Sequence, residues 1–143
     1  MTQNVDDLHE RGGSGQVCHM HGELRSMLCS ACGRRMRVDG DFDAGTPCPG
    51  CGAVGSLRPD VVWFGEMLPQ EVLHKAFRAA ERSALFLSIG TSALVQPAAS
   101  LPVAARNSGA YLVEINIEPT VLTNYTDEFV EGPSGEILPA ILK

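Results

Sequence analysis

Two Cys-x-x-Cys pairs, Cys29-Ser-Ala-Cys32 and Cys48-Pro-Gly-Cys51, stand fifteen residues apart, and their spacing constrains this chain more than any other feature. A Cys-x-x-Cys turn aims two thiolates at one point, and a second such turn closes the tetrahedral shell that Zn2+ takes in structural sites. The flanking "SACGR" and "PCPGCG" carry Gly or Pro where tight turns need them. The start, "MTQNVDDLHER", has neither the basic end nor the apolar stretch of a secretion signal, and no apolar run is long enough to span a bilayer. A cytoplasmic location with reduced thiols is therefore expected, which favours zinc on Cys29, Cys32, Cys48 and Cys51 over disulfides or a redox pair. Cys18 is left over and is expected to be a small buried side chain.

A closed four-cysteine shell needs no histidine and leaves no open position for a catalytic water. His19 and His21 in "VCHMHGEL" are thus not expected to be ligands. If residues 17 to 21 are extended, the two imidazoles project to one side and Cys18 and Met20 to the other. Two readings stay open from position alone, a pair of satisfied polar residues at a strand end and a functional pair. Gly22 would let another chain or a ligand approach the backbone closely.

The remaining pattern predicts a scaffold. At 143 residues and 44% apolar composition the chain suits one compact folded unit. "PDVVWFGEM" (59–67) reads as a buried strand, and "PQEVLHKAFRAAERS" (69–83) as a helix with Val72, Leu73, Ala76, Phe77 and Ala80 on one face. "ALFLSIGTSA" (84–93) is an apolar strand, followed by a helix capped by Ser100, with Pro102 in its first turn and its exit at Gly109. "AYLVEINIE" (110–118) is a further strand and "GEILPAILK" a closing helix. Apolar strands joined through helices imply a parallel sheet covered on both faces, with ligands bound at the carboxyl ends of the strands. Gly90, Thr91, Ser92 and Asn116 fall there, offering hydroxyls, an amide and backbone N–H groups to a nucleotide. A net charge of −6 opposes broad attraction to nucleic acid or anionic lipid, so neither nucleic acid nor membrane is an expected partner.

"TQNVDDLHERGGS", "HMHGEL", the two Cys-x-x-Cys pairs, "VVWFGE", "GTSALVQPAA" and "VEINIEP" occur in this order. Together they resemble sirtuins, the NAD-dependent protein lysine deacylases. The resemblance implies a Rossmann-like parallel sheet with helices on both faces, incomplete at its N-terminus, formed by residues 1–24 and 59–143. A small zinc-ribbon module over 25–58 completes it, with NAD and an acyl-lysine protein or peptide bound in the cleft between the two. It makes zinc structural, His21 of the "HG" pair the catalytic base, and His19 a residue without a catalytic role. Gln3, Asn4, Val5 and Asp6 would surround nicotinamide and its ribose. Gly90, Thr91 and Ser92 would hold phosphate and ribose, Asn116, Ile117 and Glu118 would approach the adenosine end, and Ser134 would sit beside the adenine. The backbone of Val62, Phe64 and Gly65, and of Ala93, Leu94 and Val95, would clasp the substrate as an added strand.

In the reaction the resemblance implies, the acyl-lysine amide oxygen attacks C1′ of the nicotinamide ribose and nicotinamide leaves. Holding so poor a nucleophile beside the sugar can supply about 7 to 11 kcal/mol. His21 then takes a proton from a ribose hydroxyl, and O-acyl-ADP-ribose and free lysine result. Sirtuins begin with a Gly-Ala-Gly-x-Ser phosphate loop and an Ile-Pro-x-Phe-Arg segment, whereas this sequence begins at "MTQN", after both. Weak NAD binding and little turnover are therefore expected of it alone. The alternative reading is a catalytically inactive zinc-ribbon module that docks a protein partner, with Arg25, Arg34, Arg35, Arg37 and Arg58 set against Asp39, Asp41 and Asp43. "DGDFDAG" imitates a calcium loop, but Gly45 falls one place late and Gly50 stands where a closing Glu belongs, so calcium is not expected.

Overall fold

The computed structural model describes residues 1–37, 40, 43 and 45–142. The chain divides into two compact units, Met1–Val72 and Leu73–Lys143, where its length suggested one.

The first unit opens with a single turn of helix, α1 (Leu8–Arg11), and is built on an antiparallel sheet of β1 (Gly22–Cys29), β2 (Arg35–Arg37) and β3 (Leu57–Val61), in the order β2-β1-β3. The β1–β3 register shifts between Glu23 and Met27, so that Gly22 faces Val61 while Met27 faces Pro59. Pro59 has no N–H to give, and it is tolerated because β3 is an edge strand. Gly22 has φ 79°, and a Cβ there would lie 1.9 Å from the Asp60 carbonyl oxygen. The close approach expected at Gly22 is thus made by β3 of this same chain. Met20, Met27, Cys29 and Cys48 are buried. The boundaries drawn at 24/25 and 58/59 fall within β1 and β3.

The expected strand over 59–67 is shorter than its apolar run. Residues beyond Val61 leave the sheet, and Trp63, Phe64 and Met67 are 57%, 100% and 85% exposed. The cause is Glu66. Its carboxylate receives Arg58 Nη2 through both oxygens, at 3.0 and 3.2 Å, and also the Trp63 N–H at 3.1 Å, while the Glu66 N–H returns to the Trp63 carbonyl. This closes a turn, which Gly65 completes at φ 90°.

Helix α2 (Gln70–Glu81) leads into the second unit, and its expected apolar face is the one turned inward: Ala76 and Ala80 are buried and Val72, Leu73 and Phe77 half-buried. Strands β4 (Leu85–Ile89), β5 (Tyr111–Asn116) and β6 (Glu128–Glu131) form a parallel sheet in that order. Helix α3 (Leu101–Asn107) crosses from β4 to β5 and packs on both, and α4 (Ser134–Ile141) closes the chain against β5. The centre of β5 is buried on both faces, at Leu112, Val113, Glu114 and Ile115, as a central parallel strand should be. On β4, an edge strand of this sheet, Leu85, Leu87 and Ile89 are 54%, 36% and 37% exposed.

Two further expectations change. Ser100 precedes α3 but does not cap it, because its hydroxyl donates to Gln96 Oε1 at 2.7 Å and a 3-10 turn over Ala98–Ser100 leads into the helix instead. Strand β6 was not foreseen in the sequence. Asp127 sets its start, accepting the Leu112 N–H on Oδ2 and donating its own N–H to the Leu112 carbonyl, both at 2.8 Å.

Candidate functional site

In the first unit, the two cysteine pairs fold as matching knuckles. The Gly33 N–H donates to the Cys29 carbonyl at 2.8 Å and the Gly52 N–H to the Cys48 carbonyl at 2.7 Å, with φ of 72° and 75° at these glycines. The left-handed turn after each pair is where glycine costs least. The Gly50 N–H also points at Cys48 Sγ, 3.3 Å away, and Arg34 packs so closely that a Cβ on Gly50 would meet its Cδ at 2.7 Å. All four sulfurs lie within 4.8 Å of one another, with Cys29–Cys51 and Cys32–Cys48 both at 3.8 Å. A tetrahedron with metal–sulfur bonds of about 2.3 Å has edges of about 3.8 Å, so the cluster fits a structural zinc ion with little rearrangement.

The thiols sit in unequal surroundings. The Gly50 N–H, aided by that of Cys51, lowers Cys48 to about 6. At Cys32 the Arg34 N–H pulls downward most strongly, yet the neighbouring thiols and burial outweigh it and raise the group to about 11. Cys18 lies outside the cluster, half-buried rather than fully buried as expected.

Of the ribbon's charges, Arg25 pairs with Asp7, Arg35 with Asp60 and Arg58 with Glu66. The acidic partners expected at Asp39 and Asp41, and most of the calcium-like loop, lie outside the described residues.

The N-terminal segment lies along the two histidines. Thr2 bridges to His19 in parallel, donating its N–H to the Cys18 carbonyl at 2.9 Å and accepting from the Met20 N–H at 3.0 Å. His19 uses both ring nitrogens: Nδ1 donates to the Asn4 carbonyl at 3.3 Å, and Nε2 meets Glu10 Oε1 at 2.8 Å. Burial, the largest single influence, lowers the pKa of His19, but Glu10, Asn4 and Glu23 together raise it above its ordinary value. Glu10 is lowered in turn, chiefly by its bond to His19.

His21 differs. Its Nδ1 lies 3.2 Å from the Gln3 carbonyl, which can only accept, so Nδ1 carries the hydrogen and the neutral ring keeps its lone pair on Nε2. Its carbonyl receives the Val62 N–H at 2.9 Å, which fixes the backbone on one side. Val5 accepts the Leu24 N–H at 2.8 Å, and Asp6 Oδ1 accepts the Leu8 N–H at the start of α1. The segment Gln3–Asp6 is therefore held beside His21 by backbone bonds. Glu10 and Glu66, which organise His19 and the 63–66 turn, escaped the sequence reading, since neither lies in a local motif that announces its partner.

In the second unit, Gly90 follows β4 at φ 61° and donates its N–H to the Ile115 carbonyl at 3.0 Å. Thr91 Oγ1 accepts the Ala93 N–H at 3.3 Å, which holds Ala93 at φ 56°, and Ser92 is exposed. The Asn116 amide, expected to be offered outward, is used within the fold: Nδ2 donates to the Thr91 carbonyl at 3.0 Å and Oδ1 accepts the Ile117 N–H at 3.0 Å. It ties the loop after β4 to the end of β5. Ile117, Leu94 and Val95 are 67%, 65% and 42% exposed, and Ser134 opens α4.

A family model described as "Sir2 family" matches residues 1–97. The chain is 46% identical over 144 residues to the protein named NAD-dependent protein deacylase 1 of Archaeoglobus fulgidus, covering 100% of this chain and 58% of that protein. Among solved structures it is similar to a mutant Sir2 homologue in complex with ADP-ribose, with a TM-score of 0.91 and 45% identity over 99% of this chain and 57% of that one. A Sir2–p53 peptide–NAD+ complex is also similar, with a TM-score of 0.84 and 31% identity over 99% of this chain and 60% of that one. The chain thus spans about half to three fifths of the length of the curated relatives it matches.

Proposed function

The chain belongs to the Sir2 family, and from that premise we propose that it supplies the base and part of the nucleotide site of an NAD-dependent protein lysine deacylase. The observation that carries this reading is the contrast between the two histidines. His19 has both ring nitrogens engaged, whereas His21 is held through Nδ1 by the Gln3 carbonyl and keeps Nε2 for a proton. A neutral imidazole so oriented is a competent general base near pH 7. His21 takes the proton of a ribose hydroxyl of NAD once nicotinamide has left, which leads to O-acyl-ADP-ribose and free lysine.

In the first unit, Gln3, Asn4, Val5 and Asp6 are proposed for the nicotinamide ribose, and Val62, Phe64 and Gly65 for the acyl-lysine peptide. The Val62 N–H is already given to His21, so Val62 offers the peptide its carbonyl. In the second, Gly90, Thr91, Ser92, Asn116, Ile117, Glu118 and Ser134 serve the rest of NAD, and Ala93, Leu94 and Val95 the peptide. Residues 25–58 act as the zinc ribbon and the remainder as the Rossmann-like part. Zinc on Cys29, Cys32, Cys48 and Cys51 cross-links the knuckles, and its closed shell keeps it out of the chemistry.

No helix among the described residues is long and apolar enough to cross a membrane, and the proposed location is the cytoplasm. The test is NAD-dependent removal of acetyl from an acetyl-lysine peptide by residues 1–143 joined to a Gly-Ala-Gly-x-Ser segment. Nicotinamide and O-acetyl-ADP-ribose should appear in equal amounts. Release of free acetate without consumption of NAD would refute the reading.

A further inference from the structure

Glu114 belongs to none of the residues assigned above, yet it is the one acidic side chain among the described residues that is fully buried, at 1% exposure. It sits at the centre of β5, and each carboxylate oxygen accepts a threonine hydroxyl. Thr120 Oγ1 donates to Oε1 at 2.5 Å and Thr123 Oγ1 to Oε2 at 2.6 Å. Each hydroxyl in turn accepts a backbone N–H of the turn that carries it, Thr120 from Leu122 at 3.1 Å and Thr123 from Thr120 at 2.8 Å. One carboxylate therefore orients two hydroxyls, and the two hydroxyls satisfy two amides. Ser88, its register partner in β4, is buried with its hydroxyl unpaired, so the bonds of Glu114 run to the turn and not sideways in the sheet.

The consequence falls on the three residues between. Ile117, Glu118 and Pro119 are exposed and bridge two fixed points. Asn116 anchors one end through the Thr91 carbonyl and the Ile117 N–H, and Glu114 anchors the other through Thr120. We propose that Glu114 is a positioning residue for nucleotide binding: it holds the 117–119 loop in the conformation that receives the adenosine end of NAD or ADP-ribose. This rests on the reading of Asn116–Glu118 given under Proposed function. Preorganisation of this kind raises affinity by removing an ordering cost at the moment of binding.

Glu114→Gln keeps the size of the side chain but replaces an acceptor with a donor, so one threonine hydroxyl loses the charged acceptor it donates to. The test is titration of the isotope-labelled 143-residue chain with ADP-ribose, followed at the Ile117 and Glu118 amides. In wild type these amides should shift and saturate. In Glu114→Gln the affinity should fall about tenfold, the size of one lost charge-assisted hydrogen bond. Amide hydrogens of Thr120 and Leu122 should exchange faster, with zinc content unchanged. Thr123→Val removes the same link from the other side, should reproduce the loss, and carries the test should Glu114→Gln fail to fold. Ala105→Gly, a buried change in α3 away from the turn, should lower stability and leave affinity as it was. Equal affinity in wild type and Thr123→Val, or an equal loss in Ala105→Gly, overturns the positioning role alone. Unresponsive Ile117 and Glu118 amides in wild type overturn the adenosine reading and the proposal with it.

Discussion

At the scale of single residues, two histidines separated by one position are given opposite properties by what lies against them. His21→Ala, in a polypeptide that also carries the Gly-Ala-Gly-x-Ser segment, should lower deacylation about 10²- to 10⁴-fold, the usual cost of a general base. Zinc content and some nicotinamide exchange should survive, because in the proposed reaction nicotinamide leaves before the base acts. His19→Ala should cost stability more than rate; the reverse pattern in folded, zinc-loaded protein would reassign the base. The His19–Glu10 pair also has a pH signature. His19 is raised above its ordinary value of 6.5 in the fold, so its contribution is complete below that value and is lost as pH rises through the folded pKa. Glu10 is lowered below 4.5, so its contribution is present above that value and is lost as pH falls through its folded pKa. The pair therefore stabilises most between the two. Melting temperatures taken across about pH 3 to 8 should show this plateau in wild type, and Glu10→Gln should flatten both flanks.

At the scale of elements, what the sequence made legible depended on how far away each cause lies. The zinc knuckles were legible because each is encoded within five residues, two cysteines and the glycine that follows them, and the sulfur geometry agrees with that spacing. Metal analysis of chelator-washed, zinc-reloaded protein should give one zinc per chain. Cys48→Ser should abolish it and destabilise the first unit, since metal affinity contributes to folding of such modules, whereas Cys18→Ser should leave zinc in place. Helix α2 was legible through its periodic apolar face. The end of β3 was not, because it is set by Glu66 reaching back eight residues to Arg58, and no local propensity reports that bond. Strand β6 was hidden by its brevity and its flanking Glu128 and Glu131, which suit an edge strand but dilute the apolar signal. Asn116 was placed correctly at the end of β5, but its role inside the fold depends on the Thr91 carbonyl, twenty-five positions away.

At the scale of the whole molecule, the 143 residues include His21, the loop after β4 and the end of β5, and the Gly-Ala-Gly-x-Ser motif does not occur among them. Pyrophosphate is ordinarily received by a glycine-rich turn leading into a helix N-terminus, where several backbone N–H groups converge on the charge. Gly90 has the left-handed geometry of such a turn, yet its own N–H is spent on the Ile115 carbonyl, and the Ala93 N–H is spent on Thr91 Oγ1. The loop after β4 therefore has two fewer donors to give a phosphate than its sequence suggests. Each charge-assisted bond that such a turn gives a phosphate is worth about 1.5 to 3 kcal/mol. Loss of two such bonds weakens binding by at least about 10²-fold. Calorimetric titration of the 143-residue chain with NAD should accordingly show binding at least that much weaker than in the same chain joined to a Gly-Ala-Gly-x-Ser segment. Equal affinity in the two would mean that Thr91, Ser92 and their neighbours rearrange to cradle the pyrophosphate, and the bonds now closing the loop after β4 would have to open for them to do so.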